Sequence, residues 1–312
     1  MAEARMALHQ PVLLAEALQG LGVRPDGRYL DCTFGRGGHA RAILARLGPQ
    51  GRLYALDRDP EAFAAARELQ AAEARFVAAQ APFSALASFV RAWGVAGALD
   101  GVLMDLGVSS PQLDDPRRGF GFRQDGPLDM RMDPDSGESA AAWIARVGLD
   151  ELVRVLRDYG EEPHAGRIAR AIVRERAHAP IATTGRLAAI VAGAVPGRCR
   201  HHPATRTFQA IRIQVNRELE ELESGLEQAL EVLSPGGRLV VISFHSIEDR
   251  IVKRFLRRHA QGEAPPRRLP VTGATTAGRL RIIGGLVRPS ARECQHNPRA
   301  RSARLRVAER RR

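Results

Sequence analysis

The sequence predicts an α/β protein: a mostly parallel sheet with helices on both faces, interrupted by an all-helical insertion. Three observations predict it. Across residues 1–113 short apolar runs alternate with helical patterns, the rhythm of βαβ units. Across 114–206 the rhythm stops, and helical patterns follow a loop-rich stretch. Across 207–312 apolar strand-like runs return. The runs are nearly continuous rather than alternating, as strands buried on both faces must be. The first and third stretches therefore form one domain and the second is an insert.

The elements follow in order. "GRYLDCTF" reads as a first strand and "HARAILARL" as its helix; "GRLYALD" and "PEAFAAARELQAAE" repeat the pair. "ARFVAA" and "SALASFVRAWG" make a third pair, and "LDGVLMDLG" a fourth strand. The segment "DDPRRGFGFRQDGPLDMRMDPDSG" is rich in Gly, Pro and Asp and reads as loop. Four helical patterns follow, the last with Thr183 or Thr184 as N-cap. Phe208, Ile211, Val215, Leu219, Leu222, Leu226, Leu230 and Leu233 recur at three- and four-residue steps, which predicts one long amphipathic helix. "SPGG" ends it, "RLVVISF" is a fifth buried strand and "IEDRIVKRFLRRHA" a helix. "RIIGGLV" and "ARLRVAE" are two weaker strands near the C-terminus.

Charge is segregated along the chain. From His245 to Arg312 there are 18 Lys/Arg against 5 Asp/Glu, whereas the preceding 244 residues hold 29 against 30. Such an excess at one end suggests a polyanion partner. Phe255 is the one aromatic in the last 60 residues, so this surface suits phosphates better than stacked bases. No apolar run is long enough to span a membrane, and "MAEARMALHQPVLL" lacks the features of a signal peptide. Cys32, Cys199 and Cys294 stand too far apart for a zinc ribbon and argue against a disulfide framework. A reducing cytoplasm suits them, and no metal site is expected.

The candidate site begins at "TFGRGGH". A Gly-rich turn after the first strand lies at the carboxyl edge of the sheet, where doubly wound folds bind nucleotides. Gly35, Gly37 and Gly38 let a ligand approach the backbone without meeting a Cβ. Asp57 lies 20 residues after Gly37 at the end of the second strand, where a carboxylate accepts the hydroxyls of an adenosine ribose. The spacing is neither G-x-G-x-x-G nor a P-loop, and the turn carries no cation placed for a phosphate after the glycines. That favours a phosphate-free nucleoside, S-adenosylmethionine, with NAD as the alternative. Asp105 ends the fourth strand at the same edge. Ser109, Ser110 and Gln112 follow it with hydrogen-bonding groups, and Phe83 follows the third strand as a surface for an adenine. His245, in "SFHS" after the fifth strand, is a second catalytic candidate beside Asp105, with a structural role as its alternative.

Taken together these features are similar to class I methyltransferases. The strings "TFGRGGH", "LDRDP", "DLGVSSPQLDD", "DGPLDMRMDP", "HPATRTFQAIRIQVN", "LSPGGRLVVISFHSIEDRIVKRF" and "NPRARSARLRVAER" make the chain resemble the bacterial MraW family of ribosomal RNA small subunit methyltransferases. The resemblance spans nearly the whole chain. It implies a Rossmann-like sheet of seven strands and S-adenosylmethionine as cofactor. It also implies methylation of the exocyclic N4 of one cytidine in the decoding region of small-subunit (16S) rRNA. The family's cofactor contacts carry over onto Gly37, Gly38, His39, Asp57, Phe83, Asp105 and Gln112. For His39, as for His245, a structural role is the alternative: a helix-start residue whose backbone N–H matters more than its ring. "QAPF" departs from the family by placing Ala81 where glycine is frequent. The basic C-terminal segment is expected to hold RNA, and residues 115–137 to form a lid or part of the cytidine pocket. A methyltransferase with another substrate and a non-catalytic RNA-binding assembly factor remain alternatives. Oligomeric state is left open, a homodimer included.

Overall fold

The computed structural model describes residues 11–197, 202–261 and 277–312. Cys199 and the first ten residues of the chain lie outside them; Cys32 and Cys294 are free thiols. Strands β1 (Arg28–Asp31), β2 (Arg52–Asp57), β3 (Phe76–Gln80), β4 (Leu99–Asp105), β5 (Leu233–Ser243), β6 (Leu280–Val287) and β7 (Arg304–Arg310) form one sheet in the order β3-β2-β1-β4-β5-β7-β6. Neighbours among the first five strands are parallel, and β7 is antiparallel to both β5 and β6. This is the expected mostly parallel, seven-stranded α/β sheet.

Side-chain alternation builds two cores. In β2, Leu53 and Ala55 join one apolar cluster and Tyr54 and Leu56 the other, because successive residues of a strand face opposite ways. The first cluster is closed by helices Leu14–Leu21, Gly38–Leu44 and Pro60–Ala72, and the second by helices Leu86–Ala92, Glu218–Val232 and Ser246–Gln261. Pairing in β5 jumps from Leu99↔Leu233 to Gly101↔Arg238. The "SPGG" turn therefore bulges out of the ladder, with Gly236 at φ +85° and Ser234 Oγ donating to the Leu99 carbonyl at 3.1 Å.

The order of β1 and β4 creates the site. The chain winds outward from β1 to β3, then returns to place β4 on the other side of β1. Connections after β1 and β4 leave in opposite directions, and a crevice opens at their carboxyl ends.

Two compact units result. One comprises the chain up to Gly107 and from Glu220 onward, and the other is Val108–Leu219. Among the described residues, the second unit contains five helices of seven or more residues: Ala140–Arg146, Leu149–Asp158, Ala165–His178, Thr184–Ala194 and Ala204–Asn216. Trp143, Leu152, Ile168, Ile172, Val191 and Phe208 share its core. Thr183, not Thr184, is the N-cap, its side chain accepting from the Arg186 N–H. The Gly/Pro/Asp segment is tied into this unit. Arg118, 8% exposed, donates to the carbonyls of Arg131 and Met132, and Asp125 accepts from the Gly185 N–H at 2.7 Å.

The single long helix expected from Phe208 to Leu233 is instead two, Ala204–Asn216 and Glu218–Val232. Arg217 between them has φ +50°, in the left-handed region. The cause is Asn216, 2% exposed, which donates to the Met130 carbonyl at 2.7 Å and accepts from the Met132 N–H at 2.8 Å. Arg212 reaches past the break to Glu218 through two bonds of 2.8 and 2.9 Å. The apolar stripe is divided accordingly. Phe208 and Ile211 belong to the core of the second unit, and Leu222, Leu226 and Leu230 to that of the sheet. No helix among the described residues is long and apolar enough to cross a membrane.

Candidate active site

The site is built at the carboxyl tips of β1, β2 and β4, each of which ends in an aspartate: Asp31, Asp57 and Asp105. Beyond β1 the chain still bridges both neighbours, Cys32 N–H donating to the Leu103 carbonyl and Phe34 N–H to that of Leu56. Asp31 Oδ1 accepts from Thr33 N–H at 3.0 Å and from its hydroxyl at 3.3 Å. The same hydroxyl accepts from the Asp105 N–H at 2.8 Å, which ties the tip of β4 to that of β1. Asp57 Oδ2 accepts from Gly35 N–H at 2.8 Å and Oδ1 from Asp59 N–H at 2.9 Å, which ties the turn to β2.

The turn needs its glycines. Gly37 has φ +76°, and a Cβ there would stand 2.7 Å from Phe34 Cζ. A Cβ on Gly38 would stand 2.4 Å from Pro11 Cγ. The ring of His39 is buried at 5% exposure, with Nε2 3.4 Å from Asp105 Oδ2. Phe83 opens a short 3-10 turn after β3 and is half-buried against the sheet core. Its close seat exists because residue 225 is glycine: a Cβ there would lie 2.8 Å from that of Phe83.

Burial dominates the electrostatics. Desolvation pushes the Asp31 carboxyl up to about 6, against the opposing effects of His39 and the Thr33 N–H. Desolvation likewise pushes Asp57 up to about 6, against its two backbone N–H bonds. For His39 burial works against the charged ring, but Asp105 and Asp31 outweigh it, so the pKa lies above the ordinary 6.5. Asp31 Oδ2 and Asp105 Oδ1 are buried without a hydrogen-bond partner.

Of the residues expected at the site, Gly37, Gly38, His39, Asp57, Phe83, Asp105 and His245 all belong to the sheet unit. Hydrogen bonds and the His39–Asp105 contact join the turn, Asp57 and Asp105. His245 follows β5, and its Nε2 lies 3.0 Å from Oε1 of the buried Glu248. Glu248 also accepts from the backbone N–H groups of Phe244 and His245, so the ring is held by the start of the next helix. Gln112 stands in the second unit, where it closes a capping box with Ser109 at the start of helix Ser110–Asp114. Asp31 was not among the sequence candidates. Its signal was available, because "YLDC" ends a strand in an acid just as "YALD" and "LMDL" do.

S-adenosylmethionine fits this donor set. Three carboxylates against one imidazole suit a ligand that carries cationic groups. The two unpartnered carboxylate oxygens offer acceptors, and Asp57 retains lone pairs for hydroxyls beyond its two backbone bonds. The residues that would hold the cofactor are Asp31, Gly37, Gly38, Asp57, Phe83 and Asp105.

Among known proteins, the ribosomal RNA small subunit methyltransferase H of Thioalkalivibrio sulfidiphilus is 60% identical over 304 residues, covering 97% of this chain and 97% of that protein. Among solved structures, TrmN from Thermus thermophilus aligns with 96% of this chain and 48% of its own at 14% identity, with a TM-score of 0.43. A SAM-dependent O-methyltransferase from Thermotoga maritima aligns with 99% of this chain and 69% of its own at 11% identity, with a TM-score of 0.42. The sequence matches the MraW methylase family across residues 6–311, and with a relative of 60% identity over almost its full length the chain belongs to that family.

Proposed function

We propose that this protein transfers the methyl group of S-adenosylmethionine to the exocyclic N4 of a cytidine in the decoding region of small-subunit rRNA. The relative that is 60% identical bears the name of a small-subunit rRNA methyltransferase. The observation that carries the reading is the junction of three strand-tip aspartates with a glycine turn, two of their oxygens buried and unpartnered. The cytoplasm, where ribosomal subunits are assembled, is the proposed location. Neither the structure nor the relatives lend support to a homodimer.

When bound, the cofactor supplies a methyl group on a sulfonium, which departs as a neutral thioether. The chain supplies orientation and a proton acceptor. Asp57 would accept hydrogen bonds from the ribose hydroxyls, and Phe83 would offer the adenine an apolar surface. The lone pair of cytosine N4 is delocalised into the ring, so the amino group is a weak nucleophile. The exposed face of the Asp105 carboxylate accepts one of its hydrogens, which favours a more pyramidal nitrogen and fixes its direction of approach. After transfer the nitrogen is cationic and acidic, and Asp105 takes its proton. The target base reaches the site out of its stack.

RNA is held by exposed arginines of the C-terminal region, among them Arg254, Arg257, Arg288, Arg292 and Arg301. Arg304 and Arg306 serve the fold instead, both paired with the buried Asp249.

The test is transfer of labelled methyl to small-subunit RNA or subunits, followed by nucleoside mass spectrometry. A single N4-methylcytidine in the decoding region is the expected product. Label on another atom, on a protein or on no acceptor at all overturns the reading.

A further inference from the structure

The sequence leaves both the ring and the backbone N–H of His39 as candidates, and the structure gives the ring a place of its own. The imidazole is 5% exposed and rises from the first turn of helix Gly38–Leu44 to within 3.4 Å of Asp105 Oδ2. Neither ring nitrogen has an aligned hydrogen bond. That is rare for a buried imidazole, whose nitrogens ordinarily find partners. On Asp105, Oδ2 faces the ring while Oδ1 is buried and unpartnered. The Asp105 side chain as a whole is 23% exposed, so its open face is within reach of a substrate. The titratable groups that act on His39 are Asp105 from β4 and Asp31 from β1, and Asp31 acts in turn on Asp57 at the tip of β2. Asp31 and Asp105 repel one another, and a positive imidazole beside them offsets that repulsion. A charged ring also makes a stronger bond to Asp105 than a neutral one.

We propose that His39 is a positioning residue for the methyl-transfer step. Its protonated ring holds Oδ2 of Asp105, fixes the rotation of the carboxylate and so sets how its exposed face meets the target amino group. The proposal rests on the role given to Asp105 in the function proposed above. The nitrogen of the substrate gains a methyl group and loses one proton to the exposed face of the Asp105 carboxylate, which passes it to solvent. His39 keeps its own proton throughout.

Two measurements test this. The first needs neither cofactor nor RNA. Nitrogen-15 NMR of histidine-labelled protein follows the titration of His39. Its midpoint is expected above the ordinary histidine value of 6.5, and Asp105→Asn is expected to lower it. A midpoint at or below 6.5, or one unmoved by Asp105→Asn, overturns the pair. The second is kinetic, with His39→Gln checked for an intact fold by circular dichroism. Removing the charge-assisted bond lowers kcat by about 10- to 100-fold, with S-adenosylhomocysteine affinity changed less than about threefold. The native enzyme loses kcat at high pH as His39 gives up its proton, and the variant lacks that decline. Equal losses of kcat and cofactor affinity with an unaltered pH profile show that the ring is packing alone and overturn the proposal. If the native chain methylates no RNA, the proposed function fails, and the NMR titration still decides the pair.

Discussion

The N–H of Gly35 donates to the carboxylate of Asp57 at 2.8 Å, so the turn after β1 is anchored by the acid that ends β2. One side chain thus shapes the turn and serves as the proposed acceptor for the ribose. The arrangement of the crevice is coupled to its chemistry, and changes in the turn are expected to register in cofactor binding.

Gly37→Ala tests that coupling. The new Cβ must sit at φ +76° and 2.7 Å from the ring of Phe34, itself buried against Phe76. Backbone strain and overpacking together cost about 2–4 kcal/mol of stability. S-adenosylhomocysteine affinity falls at least about tenfold, the equivalent of one such kcal-scale loss. Gly94→Ala is the control: it shares a positive φ, +71°, but nothing lies within 4 Å. It costs about 1–2 kcal/mol and leaves affinity unchanged. Calorimetry and urea denaturation read both.

Cofactor affinity rises with pH. Asp31 and Asp57 ionise near about 6 in the folded chain rather than at 3.8, and the ligand requires the ionised forms. Below about 6 binding must first remove protons. Affinity for S-adenosylhomocysteine therefore climbs between pH 5 and pH 7 by up to about tenfold per unit for each carboxylate, then levels off. Asp31→Asn removes one of the two linked protons and flattens the slope. The stability of the free protein runs the other way. The raised pKa values stabilise the fold fully below 3.8, and that contribution is lost as pH rises through about 6. Titration calorimetry and thermal denaturation across this range check both signs.

Gly225→Ala acts on the cofactor from beneath Phe83. The added methyl meets Phe83 Cβ at 2.8 Å and Cγ at 3.4 Å, so the ring must move. Overpacking of about 1–3 kcal/mol is expected, with weaker cofactor binding. The double variant with Phe83→Ala binds no worse than Phe83→Ala alone, because the two changes act through one contact.

Asn216→Ala destabilises the second unit by about 2–4 kcal/mol, since the buried Met132 N–H and Met130 carbonyl both lose a partner. Equilibrium unfolding in urea checks the value.

The arginines of the C-terminal region separate into two groups by experiment. Replacing Arg288, Arg292 and Arg301 with Gln lowers RNA affinity and reduces the salt slope by about 0.7–0.9 for each phosphate no longer neutralised, with the melting temperature unchanged. Replacing Arg304 and Arg306 lowers the melting temperature, because Asp249, 6% exposed, loses two partners. Truncation before residue 304 is no test of RNA binding, since β7 pairs with both β5 and β6.

The strands were legible because an apolar run such as "GVLMD" or "RLVVIS" is a local pattern, and its burial on two faces leaves a continuous hydrophobic signature. The break at Arg217 was not legible. The apolar stripe runs through it without a change of period, and its cause, the bonds from Asn216 to Met130 and Met132, joins residues more than 80 positions apart. The charge of the C-terminal region was legible, but the division of its arginines was not. Arg306 and Arg301 look alike in the sequence, and only the position of Asp249 beside β7 tells them apart.

By itself the sequence determined the α/β class, the turn glycines and the placing of Asp57 and Asp105 at strand ends, since each depends on residues within a few positions of one another. Only the tertiary structure decided that Asp31 joins them, that the ring of His39 meets Asp105, and that Glu248 holds His245. Asp31 and His39 reach Asp105 because β4 inserts beside β1 in the sheet, and strand order is set by how whole faces bury their apolar surface. No local pattern encodes which side chains that burial brings into contact.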